Sequence, residues 1–123
     1  MKAMHILVGE SNAAIRSTIH QLLDDDGRFQ ALVDAADGET AVAGAAQADA
    51  AVIDLTIAGL GCLATISRIR HHPRSPAVMA LTPTDDRHLM NAARDAGAED
   101  VLVWPRDLHL LADHLADIGS RQP

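Results

Sequence analysis

The sequence predicts an α/β domain built on a parallel sheet with helices on both faces. Three observations carry that expectation. Short apolar runs alternate with longer amphipathic runs five times along 123 residues, as serial βα units joined by right-handed crossovers would. The clearest apolar runs are continuous, as strands covered on both sides require. The apolar content, 48% of the chain, includes one Phe, one Trp and no Tyr. What remains is mostly Ala, Val, Leu and Ile, which suit helices packed closely on a sheet.

The elements follow in order. "HILVG" (5–9) is the first strand, and Asn12 offers an N-cap to a helix whose Ile15, Ile19, Leu22 and Leu23 recur at helical spacing up to the stop at "DDDG". "FQALVDAA" (29–36) is a weaker, partly polar strand that belongs towards an edge. "DGET" turns into an Ala-rich helix at about 39–47, and "DAAVIDL" (49–55) is the third strand. Leu63, Ile66, Ile69 and Arg70 carry a third helix to "HHPRSP", where two prolines end it. "AVMALT" (77–82) is the fourth strand, followed by a helix at 86–96 with Gly97 as its C′ residue. "DVLVW" (100–104) is the fifth strand, and 106–118 the last helix, with Leu108, Leu111 and Leu115 on one face. No linker or repeat interrupts the series, so residues 1–123 are expected to form one domain.

The totals narrow the function. A net charge of −7 argues against nucleic acid or an anionic membrane as partner. Cys62 is the single cysteine, so no internal disulfide can form and a reducing compartment fits best. "MKAMHILVG" is too short an apolar stretch for a signal peptide, and no run approaches the ~20 apolar residues of a membrane span. A cytoplasmic location is expected. The chain ends at "GSRQP" after the last helix, so output is expected by protein contact rather than through a following effector domain.

In parallel α/β sheets the functional groups lie beyond the carboxyl ends of the strands, near the reversal of strand order. Those ends carry Glu10 and Ser11, then Asp54, Thr82 and Trp104. Asp54 lies inside "AVIDL", where a charge is costly unless paired. It either caps the following loop or joins Glu10 as a hard-oxygen pair suited to Mg²⁺. A carboxylate beside such an ion can accept a phosphoryl group. Thr82 would either supply a hydroxyl to one phosphoryl oxygen or be satisfied by backbone. Trp104, followed by Pro105, either plugs the core or lines the mouth of the site. His71 and His72 read as a solvated helix end, and Cys62 as a small buried hydrophobe. "GES" and "GLG" lack the lysine and repeated glycines of a phosphate loop.

Several segments together resemble the receiver domain of the two-component response-regulator family over nearly the whole chain. "ILVGESNAAIR" is similar to the family's first strand, acidic pair and first helix. "VIDLTIAGLGCLATISRIR" follows the pattern around its phosphoacceptor, "PAVMALT" its hydroxyl-bearing strand, and "DAGAEDVLVWPRD" its closing strand and proline. The resemblance implies a flavodoxin-like (βα)5 sheet in the order 2-1-3-4-5. It makes Asp54 the phosphoacceptor, Glu10 the first metal-binding acid, Thr82 the hydroxyl residue, and the carbonyl of Thr56 a further Mg²⁺ ligand. It also marks departures. Ser11 stands where a second acid ligates the metal, so Mg²⁺ should bind weakly. Ala58 replaces a loop proline, Cys62 a glycine and Val101 a switch aromatic. Trp104 stands where the family has its lysine, while Pro105 keeps the following proline, often preceded by a cis bond.

The resemblance implies phosphorelay signalling rather than an enzyme. An atypical receiver would be phosphorylated on Asp54 by a histidine kinase or phosphotransfer protein, with impaired Mg²⁺-dependent chemistry. It would act on a protein target through the fourth helix, fifth strand and fifth helix. Arg87, Arg94, Asp95, Asp107 and Asp113 could supply charge there, and a homodimer is compatible with that face. The alternative is a degenerate receiver that binds partners without phosphorylation. A flavodoxin-like binder of FMN is a third class, but the chain has neither a Ser/Thr/Gly-rich phosphate loop nor an aromatic pair to sandwich a flavin.

Overall fold

Each apolar run folds as a strand and each amphipathic run as a helix. The computed structural model describes residues 3–120. Its elements are β1 (Met4–Gly9), α1 (Ala13–Asp26), β2 (Phe29–Ala35), α2 (Gly38–Gly44), β3 (Ala50–Asp54), α3 (Cys62–Arg70), β4 (Ala77–Thr82), α4 (Arg87–Ala96), β5 (Asp100–Val103) and α5 (Leu111–Ser120). All four strand pairings are parallel, in the order β2-β1-β3-β4-β5. The flavodoxin-like order expected from the resemblance is therefore present. The partly polar β2 pairs only with β1 and is an edge strand, as its composition suggested.

Pleating divides the strands between two cores. Ile6 and Val8 of β1, Ala50 and Val52 of β3, and Met79 and Leu81 of β4 pack with Ile19, Leu23, Leu111 and Leu115 of α1 and α5. Leu7, Ala51, Ile53, Val78 and Ala80 face the other way, onto Ala41, Ile66, Ile69 and Ala93 of α2, α3 and α4. With both faces buried, each central strand must be apolar throughout. That is why the runs read as continuous.

The caps follow local chemistry. Asn12 Oδ1 accepts from the N–H groups of Ala14 (2.9 Å) and Ile15 (3.1 Å), and Gly27 ends α1 in the left-handed region at φ 88°. Two expected boundaries need correction. The Ala-rich helix stops at Gly44 and tightens into a 3₁₀ turn over Ala45–Gln47. The last helix starts later than 106, because β5 ends at Val103 and a turn intervenes. Within that turn the Asp107 N–H donates to the Val103 carbonyl (2.7 Å), and the Val103 N–H donates to Asp107 Oδ2 (3.0 Å). A 3₁₀ turn over Leu108–Leu110 then leads into α5. Trp104 thus lies just beyond its strand. Among the described residues, no helix is long and apolar enough to cross a membrane.

Parallel register sets the strand ends side by side. Gly9 lies beside Ile53, Asp54 beside Leu81, and Thr82 beside Val103. The rim loops are tied in as well. The Gly38 N–H donates to the Ala58 carbonyl at 3.0 Å, and a Cβ on Gly38 would come within 2.2 Å of Thr65 Oγ1 and 2.8 Å of Leu60 Cβ. Thr65 is itself fixed by its bond to the Gly61 carbonyl (2.6 Å). Gly38→Ala should therefore destabilise the domain by about 1–3 kcal/mol through overpacking, despite alanine's better helix propensity. Urea denaturation measures this; an unchanged midpoint would show that the rim can yield.

Candidate functional site

The carboxyl ends of β1, β3, β4 and β5 meet around a cavity of about 110 Å³. Its polar lining is Glu10, Asp54, Thr56 and Thr82; its apolar lining is Ile15, Leu81, Pro83 and Trp104. Strand alternation carries Glu10, two residues beyond Val8, and Asp54, two beyond Val52, to the α1/α5 side of the sheet.

Both acids are buried, Glu10 at 2% and Asp54 at 7% exposure. Glu10 Oε2 accepts from the Asn12 N–H at 3.1 Å, while Glu10 Oε1 is buried and, apart from the neighbouring Asp54 carboxyl, has no hydrogen-bond partner among the described residues. Asp54 Oδ1 accepts from both the N–H (2.8 Å) and the hydroxyl (3.0 Å) of Thr56. Burial pushes the Glu10 carboxyl up to about 8, the neighbouring Asp54 carboxylate adds to the shift, and the Asn12 N–H works against it. Arg16 does not neutralise the pair. Its guanidinium donates to the Glu10 main-chain carbonyl (2.7 Å).

The hydroxyls serve the backbone. Ser11 Oγ donates to the Ala36 carbonyl (2.7 Å) and accepts from the Ala58 N–H (2.8 Å). Thr82, fully buried, donates to the Thr84 carbonyl (2.9 Å) and accepts from the Thr84 N–H (3.2 Å). Trp104 is half-buried at the cavity wall, its N–H bonded to the Thr82 carbonyl (2.7 Å), with a cis bond to Pro105. Its indole N–H makes no hydrogen bond among the described residues. Arg106, two positions on, pairs with Asp107 (2.9 Å) and Asp85 (3.5 Å).

Two buried carboxylates, one with an orphaned oxygen, fit a hard divalent cation. Among the described residues no group of three or more His, Cys, Asp or Glu side chains could hold a metal ion. Mg²⁺ would be held by Glu10 and Asp54, with the Thr56 carbonyl and water completing its oxygen shell. It would supply positive charge opposite a phosphoryl group.

The model of the response regulator receiver domain matches residues 6–116. The chain belongs to the response-regulator receiver family. This receiver is 29% identical over 108 residues to a cyclic di-GMP phosphodiesterase of Thermotoga maritima, covering 88% of this chain and 29% of that protein. It is 26% identical over 110 residues to the nitrate/nitrite response regulator protein NarP of Escherichia coli, covering 88% and 51%. It thus spans between about a third and a half of these relatives. Among solved structures, the response regulator domain of Thermotoga maritima CheB superposes with a TM-score of 0.89 at 17% identity, covering 99% and 100% of the two chains. The receiver domain of a sensor histidine kinase from Pseudomonas aeruginosa, determined with magnesium coordinated in its active site cleft, superposes at 0.85 with 24% identity, covering 97% and 99%.

Of the residues singled out from sequence, Glu10, Asp54, Thr56, Thr82 and Trp104 line this cavity, whereas Ser11 does not and its hydroxyl ties Ala36 to Ala58. Asp54 does cap its loop, and Thr82 is satisfied by backbone. Trp104 lines the mouth. Cys62 is half-buried against the α2–α4 core, its thiol pushed up by burial first and by the Asp54 charge last, which suits packing. Val101 is buried in the same core. Sequence reasoning missed the Thr56 side chain, although an Asp-x-Thr step after a strand is a signal for such a local bond. It also missed that Ser11 and Ala58 are coupled: the Ser11 hydroxyl accepts from an N–H that a proline at 58 would lack.

The Glu10 shift has a definite sign. The folded protein holds this proton up to about 8 and the unfolded chain only to about 4.5. Between those values the folded state binds more protons, so stability falls as pH rises through the window. Without divalent cations, the melting temperature should decline from about pH 5 to about pH 9, and Glu10→Gln should flatten that decline. Parallel profiles for the two proteins would refute the assignment.

Proposed function

We propose that this receiver accepts a phosphoryl group on Asp54 from a histidine kinase or phosphotransfer protein, with impaired Mg²⁺-dependent chemistry, and signals by protein contact. The observation that supports it best is the buried Glu10–Asp54 pair, with Glu10 Oε1 left unpartnered in a cavity at the strand ends. Asp54 Oδ1 is occupied by Thr56, so Oδ2, once the neighbouring Glu10 gives up its proton, is the oxygen left to attack phosphorus. The new O–P bond forms as the N–P bond of the donor imidazole breaks. Thr82 must exchange its bond to the Thr84 carbonyl for one to a phosphoryl oxygen. Trp104 can offer one neutral N–H where the family's lysine offers an ammonium, and charge-assisted bonds are about twice as strong as neutral ones. The phosphorylated state is therefore weakly coupled to the rest of the fold.

Output would use the α4–β5–α5 face in a cytoplasmic setting. Asp107 is already paired with Arg106, and Asp113 with Arg28. Arg87 and Arg94 form no ion pair among the described residues and are the cations that face offers. A second reading, a module that binds partners without phosphorylation, is favoured by the engagement of both the Ser11 and Thr82 hydroxyls with backbone.

Intact-mass spectrometry after incubation with acetyl phosphate and Mg²⁺ should show one phosphoryl adduct that Asp54→Asn abolishes. Trp104→Lys should raise its steady level by roughly tenfold, the worth of one added charge-assisted bond. An adduct persisting in Asp54→Asn would overturn the phosphoacceptor assignment, and no adduct from any donor would favour the second reading. Ser11→Asp should bind Mg²⁺ more tightly while melting lower without it, since an aspartate cannot donate to the Ala36 carbonyl. Equal Mg²⁺ affinities by calorimetry would mean that the metal site lies elsewhere.

A further inference from the structure

Glu10 Oε1 is the one side-chain nitrogen or oxygen among the described residues that is buried without a geometric hydrogen-bond partner. With Glu10 Oε2 on Asn12 and Asp54 Oδ1 on Thr56, each acid keeps one oxygen that receives no N–H among the described residues, and the two acids lie within hydrogen-bonding reach of one another. No cation of the described chain reaches them, because Arg16 is held by the Glu10 carbonyl and Arg106 by Asp107 and Asp85. The rest of the cavity wall is apolar: Ile15, Leu81, Pro83 and the indole of Trp104. An apolar sleeve that ends on two acid oxygens is complementary to a positive charge carried on an alkyl stem. The methylenes would lie along the apolar wall and the charge on the oxygens, with the indole face adding a cation–π contribution.

Size and shape narrow the ligand. A cavity of about 110 Å³ equals roughly four waters, enough for an ammonium and a few methylenes. The free oxygens belong to two different carboxylates. A guanidinium fork matches the paired oxygens of one carboxylate, whereas an ammonium is a compact charge with three rotatable donors.

We propose that the cavity between Glu10 and Asp54 takes a primary alkylammonium group, the chemistry of a lysine side chain or of a free amine. The proposal rests on reading Glu10 and Asp54 as a cation-binding pair and does not require phosphorylation of Asp54.

The test titrates ¹⁵N-labelled protein with N-acetyl-lysine methylamide and, separately, with n-butylammonium chloride, against sodium chloride at equal ionic strength. The Asn12 and Thr56 amides, both donors to the acid pair, should shift saturably. The emission of Trp104, the sole Trp in a chain without Tyr, should change in step. Glu10→Gln and excess Mg²⁺ should each weaken the response by roughly tenfold. Trp104→Lys should silence the amide shifts by filling the cavity with its own ammonium. Tighter binding of the lysine derivative assigns the ammonium to a protein side chain, and equal binding to a free amine. Shifts that track sodium chloride, survive Glu10→Gln or persist in Trp104→Lys overturn the proposal. Failure of phosphorylation would leave this titration untouched, so the two readings fail separately.

Discussion

Two carboxylates sealed at the end of a parallel sheet cannot both keep their charge unless something positive stands between them. Their proximity is not a local accident. The register that sets Gly9 beside Ile53 also brings the residues that follow, Glu10 and Asp54, to one cavity at the strand ends. Helices α1 and α5 then bury that side of the sheet. Desolvation and repulsion follow, and Glu10 answers them by holding a proton far above the usual carboxylate range. A proton, a divalent cation and an ammonium are thus competing solutions to one electrostatic problem posed by the fold.

The rim of the site is held without any of them. Ser11 ties the end of β2 to the loop after β3 through the Ala36 carbonyl and the Ala58 N–H, and Gly38 adds a second strap to Ala58. Thr82 is folded into its own turn with Thr84. The loop bearing Thr56 therefore keeps its place by hydrogen bonds internal to the chain. A cation bound here would find the loop already in place.

Much of this was legible in the sequence because burial on two faces leaves a strong mark. The central strands could be found from continuous apolar runs, and their ends named Glu10, Asp54, Thr82 and Trp104 as neighbours before any coordinates. Boundaries set by turn chemistry were not legible. The delayed start of α5 depends on the Asp107 carboxylate closing a turn onto Val103, which helical periodicity does not register. The partners of Ser11 and Thr82 were equally hidden, since a hydroxyl beside a carboxylate reads as a ligand until its backbone partners are seen.

The bond between Ser11 and Ala58 makes the two positions depend on one another. A serine at 11 gains its full worth only when residue 58 carries an N–H, and a proline at 58 is harmless only when position 11 needs none. The two positions are therefore coupled energetically: Ser11→Ala and Ala58→Pro each break the same tie, so their costs do not add, and the pair together loses little more than either alone.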